Sequence, residues 1–330
     1  MTDITMTGMA GRLAIPRRYV PVAVTASLLV AMFAIGGIRY EGFASGQVIL
    51  NVFVDNAFLL VIGIGMTFVI LTGGIDLSVG SVVALSTMVS ASLLTHQGWP
   101  APAVILLVLA IGATLGFGMG VIIHYFEVQP FIATLAGMFL ARGLCYTIGT
   151  DSIPITDGVF TAFAQTRIDL GGDLWISPSV VIAAIVVLVA AYVLHYTRLG
   201  RSVYAVGGSE QSALLMGLPV ARTKVAVYTI SGLCSALGGV LFSFYMLSGH
   251  GGLAVGMELD AIAAVVIGGT LLTGGSGYLF GTVLGILVLG LTQTILSFEG
   301  TLSSWWTRIV LGLLLFAFIL LQRIIGVRRT

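Results

Sequence analysis

Apolar residues run along this chain in blocks of about 20, separated by short polar or glycine-rich connections, and strict alternation of apolar and polar positions is missing. A helix that crosses the roughly 30 Å hydrocarbon layer needs about 20 mostly apolar residues. The pattern therefore predicts an all-α, polytopic membrane protein, and the missing alternation argues against a membrane β-barrel. Helical segments are expected near 20–39, 47–72, 78–95, 101–123, 130–150, 177–196, 225–247, 260–275, 278–297 and 306–322. A glycine-rich break interrupts 47–95, and 260–297 reads either as two short segments or as one crossing plus a re-entrant piece. That leaves eight to ten transmembrane crossings.

Composition agrees: at a mean hydropathy of +1.11, 330 residues hold more apolar surface than a soluble globule can cover. Charge then sets the orientation, because short loops rich in Lys and Arg stay cytoplasmic. Arg12, Arg17 and Arg18 precede the first segment, Arg198, Arg201, Arg222 and Lys224 fill the 197–224 loop, and Arg323, Arg328 and Arg329 end the chain. Both termini and that loop are expected in the cytoplasm. The 151–176 loop carries Asp151, Asp157, Asp169 and Asp173 against Arg167 alone and should face outward, which calls for an even number of crossings.

The first segment is longer than a signal-peptide core and no small-residue cleavage site follows it, so it reads as an uncleaved helix. Residues 1–19 then form a cytoplasmic tail, 20–325 a single transmembrane domain holding the 197–224 loop, and 326–330 a second cytoplasmic tail. Cys145 and Cys234 each fall inside an expected helix, which argues against a disulfide framework and a metal cluster. A formal net charge of +1 points to no acidic partner, and none of the residue patterns calls for nucleic acid.

The stretch "LTGGIDLSVGS", 71–81, keeps a carboxylate, Asp76, at a helix break in this apolar chain. Glycines allow the turn, and Asp76 or Ser78 can satisfy the orphan amides of the next helix as an N-cap. Discontinuous helices also line solute pathways, and an intramembrane ionisable residue is a functional candidate. The two readings are compatible. A second Leu-Thr-Gly-Gly core recurs in "LLTGGSGYLFGTVLG", 271–285, with Gly277 where Asp76 would stand, so an internal repeat is one reading and chance among 44 glycines the other.

Asn51, Asp55 and Asn56, at spacings of four and five, are expected on one broad helix face, either lining a pathway or satisfying one another between packed helices. In "SGHGGLAVGMELD", 248–260, Asp260 suits an N-cap and Glu258 a gate or solute contact. Gly112, Gly116 and Gly120 form a small-xxx-small stripe for close helix packing, and Arg142 calls for a buried ion-pair partner. Trp305 and Trp306 suit an interfacial aromatic belt. No H-E-x-x-H, G-x-S-x-G or P-loop pattern occurs, so the chain is not expected to bind ATP itself or to act as an enzyme. In the 197–224 loop, Glu210, Ala213 and Gly217 are spaced as a short amphipathic helix ended by glycine, suited either to a groove on a cytoplasmic partner or to lipid headgroups.

Taken together, "GMTFVILTGGIDLSVGSVVAL", "VQPFIATLAGMFLARGL", "YAVGGSEQSALLMGL" and "ELDAIAAVVIGGTLLTGGSG" resemble the ribose-type branch of bacterial ABC sugar-importer permeases, over roughly residues 20–325. The resemblance implies an inner-membrane permease that pairs with a second permease subunit, identical or different, around a central pathway. It implies a periplasmic sugar-binding protein as donor and a separate cytoplasmic ATPase that holds ATP and Mg²⁺. A helix near 209–218 would couple to that ATPase through Glu210, Ala213 and Gly217, although Ser212 stands where the family's coupling pattern has a further alanine. "DSIPI", 151–155, and "FEGTLSSWWTRI", 298–309, look like permease chains of galactofuranose importers, with ribose or another pentose or hexose as the alternative sugar. On this reading Asn51, Asp55, Asn56, Asp76, Ser78, Glu258 and Asp260 belong to the translocation pathway, which needs no tight sugar site. An ion-coupled transporter is a further reading, for which only Asp55 and Arg142 sit at suitable depth.

Overall fold

The computed structural model describes residues 20–300 and 305–327. The basic positions Arg12, Arg17, Arg18, Arg328 and Arg329, with the 1–19 tail and the end of the 326–330 tail, lie outside the described residues, as does the side chain of Arg323. All ten expected helical segments fall on helices: α1 (Val20–Arg39), α2 (Gly46–Leu71), α3 (Val79–Thr95), α4 (Ala101–Tyr125), α5 (Pro130–Ile148), then, after the 151–176 connection, α7 (Pro178–Tyr196), α10 (Val220–Met246), α11 (Met257–Ile267), α12 (Leu279–Glu299) and α13 (Trp305–Val327). Seven of these, α1, α2, α4, α5, α7, α10 and α12, are long and apolar enough to cross a membrane. Proline near the start of α4, α5 and α7 supplies the fixed φ of a first helical turn.

The 151–176 connection is more than a loop. It pairs β1 (Ile153–Pro154) with β4 (Ser248–Gly249), and it carries α6 (Gly158–Gln165) and a hairpin of β2 (Ile168–Gly171) and β3 (Leu174–Ile176). Asp157 caps α6 by accepting from the amides of Val159 and Phe160. The 197–224 connection holds two helices, α8 (Arg198–Gly208) and α9 (Glu210–Leu215), where one near 209–218 is expected. One segment is corrected: 260–275 is helical only as α11, three residues earlier at its start and eight shorter at its end. Gly256 and Gly269 take left-handed φ of +86° and +92°, and these bends bound the helix.

At the centre stands α10, packed against α4, α2 and α3, while α2 is buried along most of its length and also meets α7, α11 and α12. The outer helices turn large apolar side chains outward, among them Val30, Leu106, Phe139 and Leu188. Such a continuous apolar exterior needs lipid around it. Arg39 and Tyr40 join Glu299, which brings the ends of α1 and α12 together on the face that carries the hairpin.

The glycine stripe of α4 is the contact with α10. A Cβ on Gly112 would collide with Ala236, one on Gly116 with the Tyr228 carbonyl, and one on Gly120 would lie 2.8 Å from the Val225 Cα. These backbones touch without intervening side chains, as the spacing predicts. Gly116→Val should therefore destabilise the bundle by about 1–3 kcal/mol. Gly118→Val, which meets nothing within 4 Å, should be neutral. Thermal unfolding of the two variants in detergent checks the pair.

Candidate functional site

Asp76 is wholly buried in the 72–78 break between α2 and α3. Its Oδ1 accepts from the Ser78 amide at 2.9 Å and the Ser78 hydroxyl at 2.6 Å, and its Oδ2 accepts from the Ser231 hydroxyl at 2.7 Å. The expected N-cap is thus a turn two residues long. Ser78 holds the cap position, but its hydroxyl is directed to Asp76 and does not cap α3. Because Ser231 belongs to α10, the carboxylate ties the helix break to the central helix.

The two Leu-Thr-Gly-Gly stretches lie against each other. The Gly275 amide donates to the Leu71 carbonyl at 2.9 Å, Gly73 and Gly274 take matching left-handed φ of +79° and +83°, and the Thr67 and Thr282 hydroxyls share a hydrogen bond at 2.7 Å. Gly277, the counterpart of Asp76, accepts through its carbonyl from the Tyr204 hydroxyl of α8 at 2.9 Å. The end of α8 is wedged into this junction, since a Cβ on Gly207 would collide with the Leu71 carbonyl and lie 2.5 Å from the Gly275 amide.

Beyond α8, Ser209 caps α9 by accepting from the Ser212 amide at 3.2 Å, so Ser212 sits within a regular helix start. Ala213 is buried with Val206 and Val220, Gly217 ends the element at φ +72°, and Glu210 pairs with Lys224 at 2.6 Å, pinning α9 to the start of α10. The outward ridge is Leu214, Leu215 and Met216, with Leu215 88% exposed. The spacing of Glu210, Ala213 and Gly217 marks a helix in which Ala213 is buried and Glu210 is paired, while the neighbouring ridge is exposed.

A third irregular segment lies between α10 and α11. The chain turns at Leu247 (φ +48°) and runs back along α3, passing Gly249 against Thr87 and Ala91 and then Ala254 and Glu258 against Gly80. Ala254 keeps a left-handed φ of +57°, a conformation that costs a non-glycine residue of order 1 kcal/mol. Among the described residues Arg142 forms no ion pair, contrary to expectation: its Nη1 donates to the carbonyls of Gly251 and Leu253 at 2.5 and 2.7 Å. Non-helical carbonyls away from water need donors, and a guanidinium supplies them in a fixed fan. Glu258 accepts from the Gly256 amide at 3.2 Å and so serves the helix start that Asp260 was expected to cap. Asp260 sits one turn inside α11 and instead pairs with Arg308 of α13 at 2.9 Å.

Asn51, Asp55 and Asn56 are separated. The Asn51 side chain accepts from Gln47 at 2.8 Å, and Asn56 is buried, donating to the Val52 carbonyl at 2.9 Å while facing Gly290 of α12. Adjacent residues stand about 100° apart on a helix, so the step from 55 to 56 turns the side chains to different neighbours. Only Asp55 opens into the large cavity of about 620 Å³ between α2, α6, α7, α10 and the hairpin, which Tyr245 of α10 also lines. Trp175 and Arg167 of the hairpin region also line this cavity, with the guanidinium 4.4 Å from the indole centre. Sequence reading missed these partners because they come from a connection expected to be irregular; its aromatic and basic residues among aspartates were the available signal.

Residues 48–319 match the family described as "Branched-chain amino acid transport system / permease component". The chain is 43% identical to the inner membrane ABC transporter permease protein YjfF of Escherichia coli, over 93% of each chain. It is 41% identical to the fructose import permease protein FruG of Bifidobacterium longum, over 93% of this chain and 92% of the relative. With the ribose import permease protein RbsC of Escherichia coli it shares 39% identity over 86% and 87%. No solved structure matches the chain significantly. A polytopic helical bundle with a match across nearly its whole described length makes this chain a member of the branched-chain amino acid transport system permease component family.

Proposed function

We propose that the chain is a membrane-spanning permease subunit of an ATP-driven importer that moves a monosaccharide across the bacterial cytoplasmic membrane. Relatives named for ribose and fructose import support a sugar cargo, and galactofuranose is the first sugar to test. The observation that carries the reading is the α8–α9 element. It presents an exposed Leu214–Leu215–Met216 ridge at one end and, at the other, packs Gly207 and Tyr204 onto the junction of the two glycine loops.

On this reading the 197–224 face is cytoplasmic and the ridge docks on a separate ATPase that binds ATP and Mg²⁺. A periplasmic binding protein delivers sugar at the opposite face, that of the hairpin. The permease domain spans 20–325 and pairs with a second permease subunit, identical or not. ATP binding and hydrolysis in the partner move α9 and α8, and these displace the loops after α2 and before α12. The irregular turns at 72–78, 250–256 and 268–278 give the bundle places to bend. Of the two candidates for an ion-coupled mechanism, Arg142 is taken up by carbonyls, which leaves Asp55 alone to support it.

Uptake of labelled galactofuranose and ribose in cells with and without the gene, repeated after ATP depletion with the proton gradient intact, tests the proposal. Gene-dependent and ATP-dependent galactofuranose uptake is expected; ribose uptake alone would change the cargo, and uptake that survives ATP depletion would reject ATP coupling. Leu215→Asp should lower uptake by about tenfold or more, as loss of a central apolar anchor does at an interface. The chain should remain in the membrane while the ATPase no longer co-purifies with it.

A further inference from the structure

We infer that the cavity between α2, α6, α10 and the β2–β3 hairpin is a low-affinity receiving site for a neutral monosaccharide; the inference rests on the transport reading above and names where the sugar first contacts this chain. Its volume of about 620 Å³ falls within the usual range for small-molecule sites, roughly 300–1,000 Å³.

Charge selects the ligand class. Asp55 and Arg167 both line the cavity, and neither makes an ion pair among the described residues. Tyr245 lines the cavity together with Asp55, and Arg167 lies over the Trp175 ring. A cation attracted to Asp55 meets the guanidinium, and an anion attracted to Arg167 meets the carboxylate. A neutral polyol satisfies both. Its hydroxyls donate to the spare lone pairs of Asp55 and accept from Arg167, and Gln165 can do either.

Aromatic surface supplies the other half of sugar recognition. Trp175 and Phe58 line the cavity with apolar rings against which the C–H face of a sugar ring can lie. The Trp175 wall is held by its backbone: its amide donates to Gln47 Oε1 at 3.0 Å, and its carbonyl accepts from Gln47 Nε2 at 3.2 Å. Gln47 stands in the first turn of α2, and Asp55 lies roughly 12 Å further along that helix at about 1.5 Å per residue. The cavity therefore leads from the hairpin face into the bundle. A site on a transport route must release its cargo, so half-saturation near about 1 mM is expected.

Trp175 reports on the site directly. The full chain is reconstituted in nanodiscs with Trp99, Trp305 and Trp306 changed to Phe, which leaves Trp175 as the only tryptophan of the four. Its emission is then titrated with ribose, galactose and phosphoethanolamine. Saturable millimolar shifts with a sugar, moved to about tenfold higher concentration by Asp55→Asn, are expected. Silence with every sugar, or a curve unchanged by Asp55→Asn, overturns the inference. Saturation by phosphoethanolamine alone also overturns it and identifies a lipid-headgroup site. Saturation-transfer NMR on the unmodified chain, with and without Asp55→Asn, repeats the comparison without the tryptophan substitutions. ATP-dependent uptake by the unmodified chain alongside a silent Trp175 rejects the site and leaves the transport reading standing; absence of sugar uptake rejects the transport reading.

Discussion

The structure depends on satisfying a polar backbone where the helical ladder is broken. Three segments, 72–78, 250–256 and 268–278, leave the helical ladder, and the buried part of each brings amides and carbonyls that an apolar interior cannot solvate. Each is answered differently. Asp76 accepts one amide and two hydroxyls, Arg142 gives two hydrogen bonds to carbonyls, and Leu71, Gly275, Gly277 and Tyr204 complete one another across the glycine loops. The rare charged residues of the interior are therefore placed by the irregular backbone. The carboxylate sits where amides and hydroxyls need an acceptor, and the guanidinium where carbonyls need a donor.

Glycine plays a matching part in the packing. Along α4 it removes side chains so that two helices meet backbone to backbone, and at Gly207 it lets a short surface helix reach the carbonyl end of α2. Both are close approaches that a single methyl group would block. The same residue type supplies the left-handed φ of Gly73 and Gly274, so one composition serves contact and curvature together.

Much of this is legible in the sequence because lipid imposes a simple rule on length and polarity. All ten helical segments are visible as apolar runs, and the α4 stripe is visible as a four-residue glycine period. What escapes is anything decided by a partner distant in the chain. Asp260 reads as a cap because it precedes an apolar run, but Arg308, 48 residues on, claims it. Arg142 calls for a counter-ion, yet carbonyls 109 and 111 residues away take its protons. Asn51, Asp55 and Asn56 share a broad face by spacing, but which neighbour each meets is set by α12 and by the hairpin. The 620 Å³ cavity has no local signature, since its walls come from four separate stretches.

The Gly207 wedge has a mechanical consequence. Where side chains lie between two elements, a push can be absorbed by rotamer changes before any helix moves. At Gly207 no such cushion exists, because backbone bears directly on the Leu71 carbonyl and the Gly275 amide, which are themselves hydrogen-bonded to each other. A displacement of α8 would therefore bear on α2 and on the loop leading into α12 backbone against backbone, with no side chain between them to take up the movement.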